Sequence, residues 1–166
     1  PETHLLSIKD ELIVQFKLIQ GSDPRANNAR GNIAWVLVEI AKRIPETHLL
    51  SMKDELIALF KSIQGSSDDA NDARWNIAWA LREISKRIPE THLLSIKDEL
   101  IVQFKSIQGS DPDANYARGN IASALGEIAK RITEPDLVSI KDELIAQFKL
   151  IQGQATIANY ARENIA

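Results

Sequence analysis

The feature that most constrains the fold is an internal repeat. Shifted by 44 residues, the sequence aligns with itself from Pro1 to Ala166 without a gap. Pro1, Pro45 and Pro89 each open the string PETHLLS, and Thr133 opens the diverged version TEPDLVS. A repeat of this length indicates stacked supersecondary units rather than one compact core. We therefore predict a single repeat array whose units span residues 1–44, 45–88, 89–132 and 133–166, the last incomplete.

Each unit has the pattern of a helix pair. In the second unit, apolar residues recur at steps of three and four, as on one face of an α-helix: Leu49, Met52, Leu56, Phe60 and Ile63. Gly65, like Gly21, is expected in the left-handed conformation that ends a first helix. Asp23 is the expected N-cap of a second helix, with Pro24 at its first position. Because no segment alternates apolar and polar residues as a strand would, the predicted fold is all-α, with eight helices in four antiparallel pairs.

The second helix carries an apolar stripe of its own: Ala26, Ile33, Leu37, Ile40 and Ile44. One phenylalanine occupies the same place in every unit, which predicts a core position: Phe16, Phe60, Phe104 and Phe148. An asparagine recurs in the middle of the second helix, where it is a poor helix former: Asn32, Asn76, Asn120 and Asn164. We expect these amides to form a hydrogen-bond ladder between units.

The second helix also resembles a known repeat family. The run DPDANYARGNIASALGEIA, from Asp111 to Ala129, is similar to the second helix of HEAT-like repeats, including those of the PBS-lyase type. The family arginine is matched in all four units, by Arg30, Arg74, Arg118 and Arg162. The turn aspartate of the family is matched at Asp23 and Asp111 and is replaced by Ser67 and Ala155. The resemblance implies a right-handed HEAT-like α-solenoid of four stacked helix pairs, with the second helices along its concave side.

The copies differ mainly on one face of the second helix. The varying positions are spaced by three and four residues, and they hold all three Trp and both Tyr of the chain. Freely drifting surface positions would collect Lys, Glu, Gln and Ser, whereas aromatic residues and Arg are typical of binding hot spots. We therefore predict a non-enzymatic scaffold that binds a protein or peptide through this face. The predicted partner-binding residues are Trp35, Val38, Asp72, Trp75, Trp79, Arg82, Tyr116, Gly119, Ser123 and Tyr160.

Stacking of equivalent helices about 10 Å apart predicts how these residues meet. Trp35 and Trp79 should be neighbours, with Trp75 one turn away and Tyr116 beside it. A hollow is expected where small residues follow one another in the third unit: Gly119, Ser123 and Gly126. The alternative is that the rings pack between units, in which case the chain is a structural spacer of a larger HEAT-repeat scaffold without a ligand of its own.

The origin of the pattern has two readings. A nearly constant scaffold with one variable face resembles artificial repeat libraries of the alphaRep kind, although the modules of those libraries are shorter than 44 residues. A natural gene with recent internal duplications would show the same pattern. The resemblance also reaches HEAT-like bilin lyases, but no local motif in this chain supports that activity.

The sequence gives no case for an enzyme, a metal site or a cofactor. With no cysteine, disulfides and thiol chemistry are excluded. His4, His48 and His92 occur once per unit, too far apart to ligate one zinc ion. Asp10 and Glu11 are adjacent, so they diverge by about 100° around a helix and cannot clamp one substrate.

Charge and hydropathy exclude two further classes of partner. The net charge is −3, and acidic residues outnumber Arg on the variable face, so we expect no nucleic-acid binding. No apolar run is long enough to span a membrane and no signal-like segment opens the chain, so we expect a protein outside the membrane, cytoplasmic if natural. The compartment itself stays undecided. The terminal units lack the polar caps of a finished array, so we also expect end-to-end self-association.

Overall fold

The computed structural model of this chain describes residues 2–65, 67–107 and 112–148. All regular structure in these ranges is helical, as predicted, and none of their residues forms a strand. The α-helices are α1 (Glu2–Leu18), α2 (Pro24–Ala41), α3 (Glu46–Ser62), α4 (Asp68–Ser85), α5 (Leu93–Ser106), α6 (Pro112–Ala129) and α7 (Glu134–Phe148). The eighth predicted helix lies outside the described residues.

The predicted roles of Asp23, Gly21 and Gly65 at the helix boundaries are confirmed. The Asp23 carboxylate accepts hydrogen bonds from the amides of Arg25 and Ala26, at 3.0 and 3.2 Å, and so caps α2. Ser67 replaces it at α4. Gly21 and Gly65 follow α1 and α3 with φ of 80° and 81°, the left-handed region that an L side chain avoids.

One boundary differs between identical sequences. The string PETHLLS leads directly into α3 after Pro45, but its copy at Pro89 first forms a 3₁₀ turn over Glu90–His92. The helix α5 therefore begins only at Leu93. Since the heptapeptide is the same in both places, the difference is not encoded in these seven residues.

The helices form two layers. In one layer α2, α4 and α6 lie side by side, with the most extensive helix–helix contacts of the described part. The other layer contains α1, α3, α5 and α7, each in contact with its neighbour in that order. None of these helices is long and apolar enough to cross a lipid bilayer.

The core fills the space between the layers. Phe16, Phe60 and Phe104 are almost completely buried, as predicted; the Phe148 side chain lies outside the described part. Of the predicted apolar stripes only Ile33 is half-buried, whereas its equivalents Ile77 and Ile121 are fully buried. Among the described helices of its layer, α2 packs against α4.

The recurring family-like arginine joins the two helices of each pair. Arg30 Nη1 donates to Asn27 Oδ1 at 2.8 Å and its Nη2 donates to the Ile19 carbonyl oxygen at 2.8 Å. Arg74 makes the corresponding bonds to Asn71 and Ile63, both at 3.1 Å. These carbonyls lie just beyond the end of the preceding helix, so the buried guanidinium caps that helix from inside. Burial lowers the pKa of Arg74.

A second arginine joins successive pairs. Arg87 donates to the carbonyl oxygens of Ala41 and Ile44 at 2.9 and 2.7 Å. Arg131 makes the same two bonds 44 residues further on, to Ser85 and Ile88. We call each such pair of bonds an arginine clamp.

The predicted asparagine ladder has one described rung. Asn76 Nδ2 donates to the Gly31 carbonyl oxygen at 3.4 Å and so links α4 to α2. Asn32 instead donates to Asn28 Oδ1 at 3.0 Å, within its own helix.

Candidate functional site

The residues of the predicted binding surface lie on α2, α4 and α6, the three helices of one layer. Trp35 is its most open aromatic residue, with 53% of its surface exposed. Most of the others are half-buried: Asp72, Trp75, Trp79, Arg82, Tyr116 and Ser123. The surface is therefore shallow, with rings partly sunk between helices.

Two predicted members do not belong to this surface, and a third lies outside the described residues. Val38 is fully buried in the core, because the part of α2 that carries it is packed within the helix layer. Gly119 is buried as well, so it cannot line an open hollow. Tyr160 lies outside the described residues. We remove Val38 and Gly119 from the candidate site.

Three aromatic residues form a continuous ring stack. The Trp75 and Trp79 ring centroids are 6.5 Å apart with an interplanar angle of 9°, and the Tyr116 ring also stacks on Trp75, at 5.9 Å and 25°. Trp75 and Trp79 are one turn apart on α4, whereas Tyr116 comes from α6. Offset stacking of this kind contributes about 0.5–1.5 kcal/mol per pair beyond buried area. We call Tyr116, Trp75 and Trp79 the ring stack.

The ring stack ends at a cation rather than at Trp35. The Lys42 ammonium of α2 lies 4.9 Å from the Trp79 ring centroid, within the range of a cation–π interaction. Trp35 takes no part in the stack, although the sequence predicted it beside Trp79. It stands apart as an exposed ring on α2.

The ring stack repeats an inter-helix contact seen one pair earlier. On α2 and α4, Gly31 lies opposite Asp72, and a Cβ on Gly31 would come within 2.9 Å of the Asp72 Oδ2 atom. The residues 44 positions further on are Trp75 and Tyr116. A small residue therefore faces a carboxylate at the first contact, and a large ring faces a ring at the second. The signal that could have found this pairing is the period itself, because a contact between residues 31 and 72 predicts one between residues 75 and 116.

A carboxyl pair flanks the ring stack on α4. Burial raises the pKa of the Asp72 carboxyl, and the neighbouring Asp69 carboxylate raises it further. Within the described ranges no ion pair involves Asp69 or Asp72. This edge of the surface is therefore acidic in the described part of the chain, although Arg25 lines the same cleft as Asp69.

Positive charge lies toward the other end of α4. Arg82 is 3.7 Å from the Glu127 carboxylate of α6, and its Nε atom is buried with no hydrogen-bond partner among the described residues. Burial raises the pKa of Glu127, but the hydrogen bond from Lys130 and the positive charges of Lys130, Arg82 and Lys86 together outweigh burial, so the pKa is lowered. The surface thus has an acidic edge, an aromatic centre and a mixed basic edge.

Open space exists at two places on this face. A cleft of about 410 Å³ lies near the start of α2, lined by Pro24, Arg25, Asn28, Ala29, Asn32 and Asp69. On α6 a Cβ added to Gly126 would meet no atom within 4 Å, and Ser123, one turn before it, is half-buried. The predicted hollow is therefore reduced to Ser123 and Gly126.

The described residues of this surface are mainly aromatic and charged. They offer aromatic rings, a carboxyl pair and an arginine. In the described part of the chain no group of three or more His, Asp or Glu side chains is placed to hold a metal ion.

Comparison with known proteins adds no assignment. The sequence matches no family model, no curated protein and no solved structure.

Proposed function

We propose that this chain is a non-enzymatic binding module, built as a right-handed HEAT-like α-solenoid of 44-residue helix pairs. In this proposal the layer of α2, α4 and α6 forms the concave side, and a protein or peptide binds across it. The two-layer packing and the arginine bonds that recur 44 residues apart support the architecture.

The ring stack is the single observation that carries the binding proposal. Its rings are already ordered by one another, so a partner that covers them loses little additional side-chain entropy from this protein. Rings of this size contribute most of the energy of many interfaces, especially beside an arginine. Trp35 adds a further exposed ring on the same layer.

The acidic edge and the mixed basic edge lie at different ends of the surface, so a charged partner would bind in one orientation. A partner that places a cation near Asp69 and Asp72 and an apolar side chain on Trp75 or Trp79 matches this order of chemistry. Charges at the rim of an interface set orientation and association rate more than affinity. The proposed ligand is therefore a peptide segment with basic and apolar residues side by side.

A displayed random-peptide library selected on the full chain tests this function. Selected peptides are expected to bind with micromolar affinity and to change the tryptophan fluorescence, because all three Trp belong to the proposed surface. Trp75→Ala/Trp79→Ala should weaken binding at least tenfold. Val102→Ala is the matched control, since Val102 is 56% exposed on α5 in the other layer.

The binding proposal fails if the selected peptides bind the double variant and the native chain equally. It also fails if Val102→Ala has the larger effect. Circular dichroism of each variant separates loss of the surface from loss of the fold.

A structural spacer is the second candidate, and one observation favours it. Trp75 and Trp79 pack against the core, and the Trp75–Tyr116 contact joins α4 to α6. In that case the rings act as packing between helices. Tyr116→Ala would then lower the melting temperature, while no peptide selected on the native chain would contact the tryptophans.

A further inference from the structure

In the layer of α1, α3, α5 and α7, a lysine on each of the first three helices bonds to a residue of the next helix. Lys9 of α1 donates to Glu55 of α3 at 2.7 Å, and Lys53 of α3 donates to the Ser95 hydroxyl at 3.2 Å. Lys97 of α5 reaches Asp136 of α7 at 3.3 Å. All three lysines are less than 10% exposed, which is unusual for this residue and shows how closely the next helix covers them.

The helices that these lysines join also bury apolar side chains in the core. On α3 the residues Leu49, Met52 and Leu56 are completely buried. On α1, Ile13 is only 3% exposed. The junction between α1 and α3 thus combines a nearly buried lysine with the buried Ile13, whereas its equivalents Ile57 and Ile101 are half-buried.

The outer side of α1 carries the same residues uncovered. Leu5, Ile8 and Leu12 are the equivalents of Leu49, Met52 and Leu56, but they are only half-buried. Glu11, the equivalent of the lysine acceptor Glu55, is exposed, and its described hydrogen bond is one from Gln15 on the same helix. We call these four residues the leading face: Leu5, Ile8, Glu11 and Leu12.

The outer side of α7 carries the equivalents of the α1 residues that face α3. Lys141 is the equivalent of Lys9 and is exposed. Ile145 is the equivalent of Ile13, yet 47% of its surface is exposed. We call Lys141 and Ile145 the trailing face.

We propose that a second copy of this chain docks its trailing face on the leading face of the first. The contact continues the junction already formed between α1 and α3, with Lys141 of one copy on Glu11 of the other and Ile145 covered as Ile13 is. Charge complementarity and continuity with the internal junctions select this occupant. Because the two faces differ, the contact is heterologous, and association proceeds head to tail into open oligomers rather than stopping at a symmetric dimer.

Sedimentation of the full chain over a range of concentrations tests the proposal. The weight-average mass should rise with concentration. Glu11→Lys and Lys141→Glu should each lower the association constant at least tenfold, because each brings two like charges together in a nearly dry contact. An equimolar mixture of the two variants should recover association, since each face again meets an opposite charge.

Two further variants complete the test. Glu90→Lys makes the same charge change at an exposed site before α5 and should leave the mass unchanged. Ile145→Asp should abolish association with no change in helical content. The proposal is overturned if the native chain stays monomeric at high micromolar concentration. It is equally overturned if it associates but neither charge reversal weakens it, or if the mixture behaves like the single variants.

Discussion

A buried arginine without a carboxylate partner is the most informative single residue of this fold. Arg74 is 4% exposed; its Nη atoms donate to the Asn71 amide oxygen and to the carbonyl oxygens of Ile63 and Gly65, while its buried Nε has no hydrogen-bond partner among the described residues. An arginine retains its charge even where burial lowers its pKa, so its loss would leave these acceptors without a donor.

Arg74→Gln is therefore expected to destabilise the chain by about 3 kcal/mol, since hydrogen bonds from charged donors contribute more than neutral ones and the carbonyls left behind are buried. Chemical denaturation monitored by circular dichroism measures the change. Arg25→Gln, at an exposed position on α2, should have almost no effect. Equal effects of the two substitutions would contradict the capping role.

The Asp72 carboxyl predicts a pH dependence. Because burial and Asp69 raise its pKa in the folded state, the folded chain binds more protons than the unfolded chain across that pH window. Stability from this group is present below the ordinary carboxyl pKa and is lost as pH rises through the raised value.

Asp72→Asn removes the titrating carboxyl and with it the loss of folding stability at higher pH. The melting temperature of the variant should exceed that of the native chain at neutral pH, and the gap should shrink toward pH values below about 4, where carboxyls are protonated. Thermal melts over this pH series measure it, with Asp142→Asn, an exposed site on α7, as control. A gap that does not change with pH would refute the assignment.

At the scale of elements, the arginine clamp distinguishes two otherwise equivalent residues. Arg87 holds the end of α2 through Ala41 and Ile44, whereas Arg43, 44 residues earlier, is exposed. Arg87→Gln should cost about 2 kcal/mol, because two bonds from a charged donor are lost. Arg43→Gln should be nearly neutral. Urea titration of the two variants compares them directly, and a loss at Arg43 as large as at Arg87 would show that the clamp is not the cause.

The helices and their ends were predictable, because the signals are local. Asp23 caps the helix that follows it, and Gly65 takes a conformation that its own lack of a Cβ permits. The surface was predicted less completely. Helical spacing placed Val38 with Trp35, but burial depends on the neighbouring helix that α2 packs against.

The ring stack illustrates the same limit. Trp75 and Trp79 are one turn apart and their contact follows from spacing, and Tyr116 was expected beside them. The cation over Trp79 was not expected, because Lys42 comes from another helix. A sequence periodicity reports which residues share a helix face, and only the packing of helices reports what lies across from them.

At the scale of the whole molecule, the leading face of α1 is less buried than the equivalent face of α3. Leu12 on α1 is half-buried, while Leu56 at the same position on α3 is completely buried. Leu56→Ala should destabilise the chain by about 2–5 kcal/mol, the range for a filled core position. Leu12→Ala should cost no more than about half of that, because less apolar surface is withdrawn from water.

Guanidinium denaturation of both variants at low protein concentration measures this difference. Low concentration matters because the proposed docking would cover Leu12. A loss at Leu12 equal to that at Leu56 under these conditions would mean that the outer side of α1 is as well packed as an inner one.

The arginine clamp has a consequence for how the molecule can vary. Every residue has a main-chain carbonyl, so the hydrogen bonds of the clamp do not depend on which side chains the adjoining helix carries. Tryptophan, glycine or serine can replace one another on that helix while the hydrogen bonds of the clamp are kept. The contacts that hold successive units together are therefore made to the backbone, whereas the variable surface is made of side chains. The surface can change in sequence without loss of these contacts.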